Sequence, residues 1–553
     1  MTFAIHSRSI ATTFPVMSKK HERSQSSDDM LKHPSTKRAK EIDQNTPMEQ
    51  LEEVLARNKS DHKPRNVLHW FRSKDIRQDD NRALHAASKK AKEGSGSLIT
   101  LYLFSPKDMD WHGTSPARTD FILESLRGLK EQLQEKNIPL AMITAKERAE
   151  KTEDIMEFVK DHDVSHIYAN FEYEVDELRR DTKIAKHVQE QKDLSFELHH
   201  DQTVVIPGTM TTGSGGPHKV FTPYHKSWLA ETKKHPELMD LSPPPEANDK
   251  KAAQDFKQLF EQKVPDLPES KQFASKEEQQ KIPKLWPAGH QAGIERLQQF
   301  LEKKVSDYAK HRSEPARDPS SRLSPYFASG IISVREALSA ARKHNKGEHF
   351  DEGDAGIDSW VREIVFREFY RQVTVITPHT TMNLPQNLKF DFVQWKDDEE
   401  GWKKWYEGKT GVPFVDAGMR QLNSEAYMHN RLRMNTASYL RGNLLIDYRR
   451  GERYFAEHLV DWDLNNNTQG WEPNYTIFNP VSQAEKCDPD GEYIRKWVPE
   501  LKDVKGKAIF APHDRLSEAE FKKLGYPKPH VNFSESAQRA KSRYKQDLHD
   551  ADP

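Results

Sequence analysis

Four short apolar runs, separated by stretches whose apolar residues recur every three or four positions, constrain this chain more than anything else in it. The runs are VLHWF (67–71), SLITLYLF (97–104), PLAMIT (139–144) and HIYANF (166–171). Each has the length and the aliphatic and aromatic content of a buried strand. Between them, Phe121, Ile122, Leu126, Leu129 and Leu133, then Ile155, Phe158 and Val159, fall at helical spacing. Strand and helix in alternation need crossover connections, so an α/β domain with a parallel, doubly wound sheet is predicted over about 65–205. No P-loop or GxGxxG sits at a strand-to-helix turn. Gly94, Gly96, Gly213, Gly215 and Gly216 therefore read as turn residues, not as a phosphate cradle.

The remainder divides by composition. At 553 residues the chain exceeds one ordinary core, and its 35% hydrophobic content, below the roughly 45–50% of a globular domain (a figure that also counts Gly), places part of it outside any core. Residues 1–64 read as a disordered polar tail. Within it, 1–21 carry Arg8, Lys19 and Lys20 with hydroxyls and no acid, the pattern of a mitochondrial transit peptide or of an ordinary tail. Met17 offers a second start, after which Lys37-Arg38-Ala39-Lys40 reads as a nuclear-import cluster. Nucleus and mitochondrion are the locations implied. Residues 206–285, rich in Pro, Lys, Glu and Gln, read as a connector, 286–501 as an all-helical domain, and 502–553 as a C-terminal extension. A net charge of −1 excludes global basicity but allows a local basic groove. The lone Cys487 cannot form an internal disulfide, and no run approaches the ~18 apolar residues of a membrane span. A soluble, intracellular-type monomer with no membrane partner and no metal site is expected.

Chemistry concentrates in three helical stretches. WVREIVFREFY (360–370) sets Trp360, Glu363, Phe366 or Arg367, and Tyr370 along one side. MHNRLRM (428–434) holds Asn430, Arg433 and Met434 within a turn, and HLVDWDLNNNTQGW (458–471) crowds Asp461, Asp463, Asn467 and Trp471. One such stretch is ordinarily a solvated helix face. Three in one domain point to a polar ligand site, with buried carboxylates needing partners such as Arg433.

These stretches, together with HWFR (69–72), ANFEYEVDEL (169–178), KVFTP (219–223), SSRLSPYFASG (320–330), GKTGVPFVDAGMRQL (408–422), IFNP (477–480) and YIRKWVPEL (493–501), resemble the photolyase/cryptochrome flavoproteins. The likeness is nearest to microbial and fungal cyclobutane pyrimidine dimer photolyases. It implies FAD inside the helical domain, with phosphates met by Ser320, Ser321, Arg322, Leu323 and Ser324 and with Tyr308 beside the flavin. It pairs Arg433 with Asp461 beneath the isoalloxazine, sets Asp463 against the ring and turns Asn467 toward flavin nitrogen 5, where plant cryptochromes carry Asp. The implied substrate is UV-damaged DNA, its dimer flipped into a pocket. Glu363 and Asn430 match the hydrogen-bonding positions, Met434 and Phe366 the apolar contacts, and Arg312 and Arg431 the DNA-facing surface. Photolyases of the (6-4) type carry His in place of Asn430. The implied electron relay is Trp471, Tyr448 and Trp395, with the tyrosine having to shed a proton when oxidised. His112, Asp176 and Glu177 match an antenna site, for which methenyltetrahydrofolate is expected before a deazaflavin.

Two departures stand out. Phe366 replaces a family Trp, and after Trp471 the sequence EPNYT leads directly to IFNP, without a second Trp and its loop. With base–aromatic stacking worth about 1–3 kcal/mol per base, dimer binding could weaken tenfold or more. The functions implied are a light-driven DNA lyase or, as the alternative, a cryptochrome-like blue-light receptor without repair.

Overall fold

The first four strands of the sheet are the four apolar runs: β1 (Asn66–Phe71), β2 (Leu98–Phe104), β3 (Leu140–Thr144) and β4 (Val164–Asn170). A fifth, β5 (Ser195–His199), escaped the sequence reading because only Phe196 in it is fully buried, as suits a strand at the sheet edge. All pair in parallel in the order β3-β2-β1-β4-β5. The order reverses between β1 and β4, so the carboxyl ends of these strands frame the crevice where doubly wound sheets bind ligands. The coordinates are a computed structural model describing residues 32–58 and 62–553. The transit-like segment 1–21, including Met17, lies outside the described residues.

One expectation needs correction, and two further segments are more folded than their composition suggests. The stretch read as a disordered tail contains two helices, Thr36–Gln44 and Pro47–Leu55, the second closed by a capping box between Thr46 and Glu49. Met48 and Leu51 are buried with the sheet's outer core. The run Lys37-Arg38-Ala39-Lys40 lies on the first helix with Ala39 fully buried, so it is not an extended peptide. The connector carries the helix Phe221–Lys234, whose Tyr224 and Trp228 are buried and whose Trp228 indole donates to Glu368 at 2.9 Å. The C-terminal extension ends in the helix Phe533–Asp550, which packs Tyr544 on Phe390 and sends its hydroxyl to the Arg441 carbonyl. In each case a few apolar residues in a polar segment fill gaps in a neighbouring core, a tertiary effect that composition averages away.

From His290 onward the described residues contain helices and no strands. The 22-residue helix Ala355–Ile376 starts where Asp354 accepts from the amides of Gly356 and Ile357. Helix Asn430–Ser438 runs into a π-helical turn, Tyr439–Leu444, and helices Tyr448–His458 and Leu464–Trp471 follow. One apolar core runs from the sheet (Tyr102) and the helix packed on it (Phe121) into the helical region (Tyr326, Trp360, Phe369), and a second gathers Trp405, Tyr439, Trp471 and Tyr493. Among the described residues no helix is long and apolar enough to cross a membrane.

Candidate functional site

Two caps bring the chemistry-bearing stretches into position. His429 accepts from the Arg431 amide at 3.2 Å to open helix Asn430–Ser438, and Asp463 accepts from Asn466 at 3.0 Å to open helix Leu464–Trp471. Arg433 then donates to Asp461 at 2.7 Å and to the Met428 carbonyl at 2.7 Å, while the Ser324 hydroxyl donates to the same Asp461 oxygen at 2.6 Å. The other oxygen of Asp461, Oδ1, is buried without a partner. The Ser320–Ser324 turn is joined to this pair through Tyr427, which the sequence reading passed over. Its hydroxyl donates to Ser320 at 3.4 Å, and the guanidiniums of Arg322 and Arg433 lie 5.3 and 5.4 Å from its ring. Arg322 adopts a left-handed backbone (φ 51°), Ser321 accepts from the Trp360 indole at 3.3 Å, and Leu323 is buried. Tyr308 packs edge-on against Phe300, and burial pushes its phenol up.

Asp463 has a partner that the sequence reading missed. Arg371 donates to it at 2.5 Å, with both side chains fully buried. Burial alone would raise the carboxyl, but Arg371, Arg367 and Lys74 hold it well below the usual range. Asn467 donates to the Glu452 carbonyl at 2.9 Å. Trp471 lies so close to Gly451 that a Cβ there would sit 2.2 Å from the indole. Hydroxyls and turn amides for phosphate, a charged pair for a ring edge, and the unpartnered Asp461 Oδ1 fit the polar groups of FAD.

Of the residues matched to substrate and DNA, Arg312, Glu363, Arg431 and Met434 form a linked, partly exposed rim. Arg312 pairs with Glu363, the neighbouring Ser313 accepts from Arg431 at 2.9 Å, and Arg431 reaches the Met434 sulfur at 3.9 Å. Met434 is 38% exposed and Asn430 is also exposed. Phe366 packs at a tilt on Phe221, from the segment read as a connector, with ring centroids 4.1 Å apart, and edge-on to Tyr370 at 5.0 Å. The shortened loop after Trp471 is tied elsewhere. Glu472 accepts the amides of Gln386 and Asn387, Arg441 grips Asn474, and Tyr475 packs on Phe390 and Tyr544.

A cavity opens at the carboxyl ends of β1 and β2, lined by Arg72, Ser105, His112, Glu174, Glu177 and, from the helical region, Trp462. Arg72 Nε and Nη1, Ser105 Oγ, His112 Nε2, Glu174 Oε2, Glu177 Oε2 and Trp462 Nε1 are all buried without hydrogen-bond partners. Burial, then Glu174 and Glu172, pushes Glu177 up to about 8, so its carboxyl can donate at neutral pH. Two of the three residues matched to an antenna site thus line one cavity. The third, Asp176, does not: it pairs with Arg148 at 3.0 Å on the surface. Asp108, 3.9 Å from His112, is already held by Arg148 and Lys151.

A doubly wound sheet joined to a helical region with such a cradle is the architecture of a two-domain flavoprotein. Residues 67–246 match the family model described as DNA photolyase, and 360–546 that described as the FAD binding domain of DNA photolyase. The second match runs well past 501, in keeping with the folded C-terminal segment. The chain is 40% identical over 520 residues to the deoxyribodipyrimidine photo-lyase of Neurospora crassa, covering 90% of this chain and 84% of that one. It is 31% identical to the mitochondrial deoxyribodipyrimidine photo-lyase of Saccharomyces cerevisiae, covering 90% of each. A solved bacterial class III photolyase from Agrobacterium tumefaciens superposes with a TM-score of 0.74 at 28% identity, over 89% of this chain and 99% of that one. The chain belongs to the DNA photolyase family and carries its FAD-binding domain.

Proposed function

We propose that this chain repairs UV-damaged DNA by light-driven splitting of cyclobutane pyrimidine dimers. The observation that carries the reading is the Arg433–Asp461–Ser324 cluster with its spare, buried Asp461 oxygen, set beside the Ser320–Ser324 turn. FAD held by these residues would supply light-driven electron-transfer chemistry for splitting the dimer. The protein's part is placement. Ser320, Ser321, Arg322, Leu323 and Ser324 would hold phosphate, Tyr308 and Asn467 would frame the ring, and Arg433 would hold Asp461 in place. Glu363 and Asn430 would hydrogen-bond the flipped dimer, Met434 and Phe366 would pack on it, and Arg312 and Arg431 would meet phosphate. Trp471, Tyr448 and Trp395 are the relay that the resemblance assigns.

For the second chromophore we favour methenyltetrahydrofolate over a deazaflavin, with His112 and Glu177 as its contacts. The unpartnered donors and acceptors lining the cavity support a polar heteroaromatic ligand of some kind. We propose a monomer acting in the nucleus and, through the leader, the mitochondrion; fluorescent fusions begun at Met1 and at Met17 test the latter. The decisive experiment is dimer loss from irradiated oligonucleotides under blue light beside a dark control. Repair in light alone supports the proposal. Flavin-containing protein without repair would favour the photoreceptor reading, which the missing second Trp after Trp471 keeps in view.

A further inference from the structure

The route by which electrons reach the flavin pocket need not follow the three residues matched above. Tyr448, the middle member, is a poor carrier where it stands. A phenol gives up an electron readily only if its proton can leave with it, and the Tyr448 hydroxyl is buried without any hydrogen-bond partner. Burial also pushes that phenol well above its ordinary pKa. Its aromatic neighbour is Trp395, edge-on at 6.1 Å.

Trp471 has a different set of ring neighbours. Trp405 lies edge-on to it at 6.1 Å, and Trp402 stacks on Trp405 at 5.3 Å with the planes 19° apart. Trp405 is completely buried, its Nε1 donating to the Thr436 carbonyl at 3.0 Å, whereas Trp402 is partly exposed. Tyr406 and Tyr454 stand edge-on to Trp402 at 5.5 and 5.9 Å. A guanidinium lies near each route: Arg449 is 5.0 Å from the Tyr448 ring and Arg450 is 4.6 Å from the Trp402 ring. Both are paired with carboxylates, Arg449 with Asp391 and Asp447 and Arg450 with Glu399, so neither charge decides between the routes. The proton does. An indole can carry the hole as a cation, and all three members of the second route are indoles.

We propose that Trp471, Trp405 and Trp402 form the working electron relay of this protein, a reading that rests on flavin occupying the Arg433–Asp461 pocket. Trp471 gives one electron to the flavin, Trp405 refills Trp471, and Trp402 refills Trp405. A thiol reductant in solvent refills Trp402, releases its proton to water, and ends as half of a disulfide by coupling of two thiyl radicals. The indoles finish unchanged, and one electron per event passes from thiol to flavin.

The test is blue-light reduction of the flavin in full-length holoprotein with excess dithiothreitol, followed by absorbance, together with flash spectroscopy of the transient radical. Trp405→Phe and Trp402→Phe should each slow reduction at least about tenfold, the effect of ~1.4 kcal/mol on a barrier. Tyr448→Phe should leave the rate unchanged, and the flash transient should be tryptophanyl, with no tyrosyl component. Because Trp405 is buried and its replacement could disturb folding, Trp402→Phe at the rim and the identity of the radical carry equal weight. Parent-like rates in Trp402→Phe or Trp405→Phe, or a Tyr448→Phe protein as slow as either, would overturn the relay. Parent protein without flavin absorbance after reconstitution would overturn the cofactor reading, and the relay with it.

Discussion

The two Arg–carboxylate pairs beneath the helical site and the one on its rim are built from the same groups and behave differently. Arg371–Asp463 is wholly buried, and Arg433–Asp461 has its carboxylate 2% and its guanidinium 25% exposed. In Arg312–Glu363 the two side chains are 39% and 38% exposed. Two charges taken out of water must find each other to offset desolvation, and once paired they are costly to separate. An exposed pair is worth only about 0–1 kcal/mol, so a ligand can part it with little loss. The buried pairs are therefore suited to hold a shape, and the rim pair to exchange its internal contact for a substrate.

The sharpest way to break this comparison is Asp463→Asn. Asparagine caps a helix as well as aspartate, so the start of helix Leu464–Trp471 should survive while Arg371 loses its counter-charge. We expect a loss of about 3–5 kcal/mol in urea unfolding. A loss under ~1 kcal/mol would put this pair in the class of the exposed one. Arg433→Ala should do less to the fold, on the order of 2 kcal/mol, because Ser324 still donates to Asp461 and the guanidinium was partly solvated. It should also lower FAD retention through gel filtration, and unchanged retention would separate the pair from the cofactor.

How much of this was legible in the sequence depends on where each signal resides. The strand runs and the WVREIVFREFY helix were plain because each is continuous in sequence and strongly apolar or periodic. Arg433 with Asp461 was readable as a pair only through the family resemblance, and Arg371 with Asp463 not at all, since 92 residues separate them and Arg371 reads as one more polar residue on a long helix. Tyr427 sits directly before MHNRLRM and was missed because a lone tyrosine carries no periodic signal. The capping box at Thr46 to Glu49 stands in the sequence but was passed over, because the segment was read by its polar composition alone. Phe221 was quoted within KVFTP, but nothing local tied it to Phe366.

That last contact sets the third prediction. Phe366→Ala should weaken dimer binding by about 1–2 kcal/mol, within the range of one lost base–aromatic contact, and leave FAD content intact. With Phe221 already 4.1 Å away, Phe366→Trp has little room on that side, and overpacking of about 1–3 kcal/mol opposes the gain in stacking area. If gel-shift affinity for dimer-containing duplex is unchanged in both variants, Phe366 is helix packing and the substrate belongs elsewhere on the rim. A separate effect concerns pH. Glu177 binds its proton more tightly folded than unfolded, so between about 4.5 and 8 the native state holds the extra proton and stability falls as pH rises. Glu177→Gln should flatten that slope in urea midpoints taken at pH 5 and pH 8. An unaltered slope would show that the cavity does not hold a neutral carboxyl.

The smallest effect on the fold should come from Glu363→Gln, and it tests the rim side of the comparison directly. The exposed pair contributes at most about 1 kcal/mol, so the unfolding midpoint should hardly move. Binding should change in two opposing ways. Loss of the carboxylate removes an acceptor for the flipped dimer, while Arg312, freed from Glu363, becomes available to a phosphate. Affinity for undamaged duplex should therefore rise slightly and gain salt dependence, because one more cation releases counterions, and affinity for damaged duplex should fall. The quantity to measure is the ratio of the two affinities across a salt series. A ratio equal to the parent's would mean that Glu363 serves only to neutralise Arg312, and the rim would then be a basic surface with no hand in choosing the dimer.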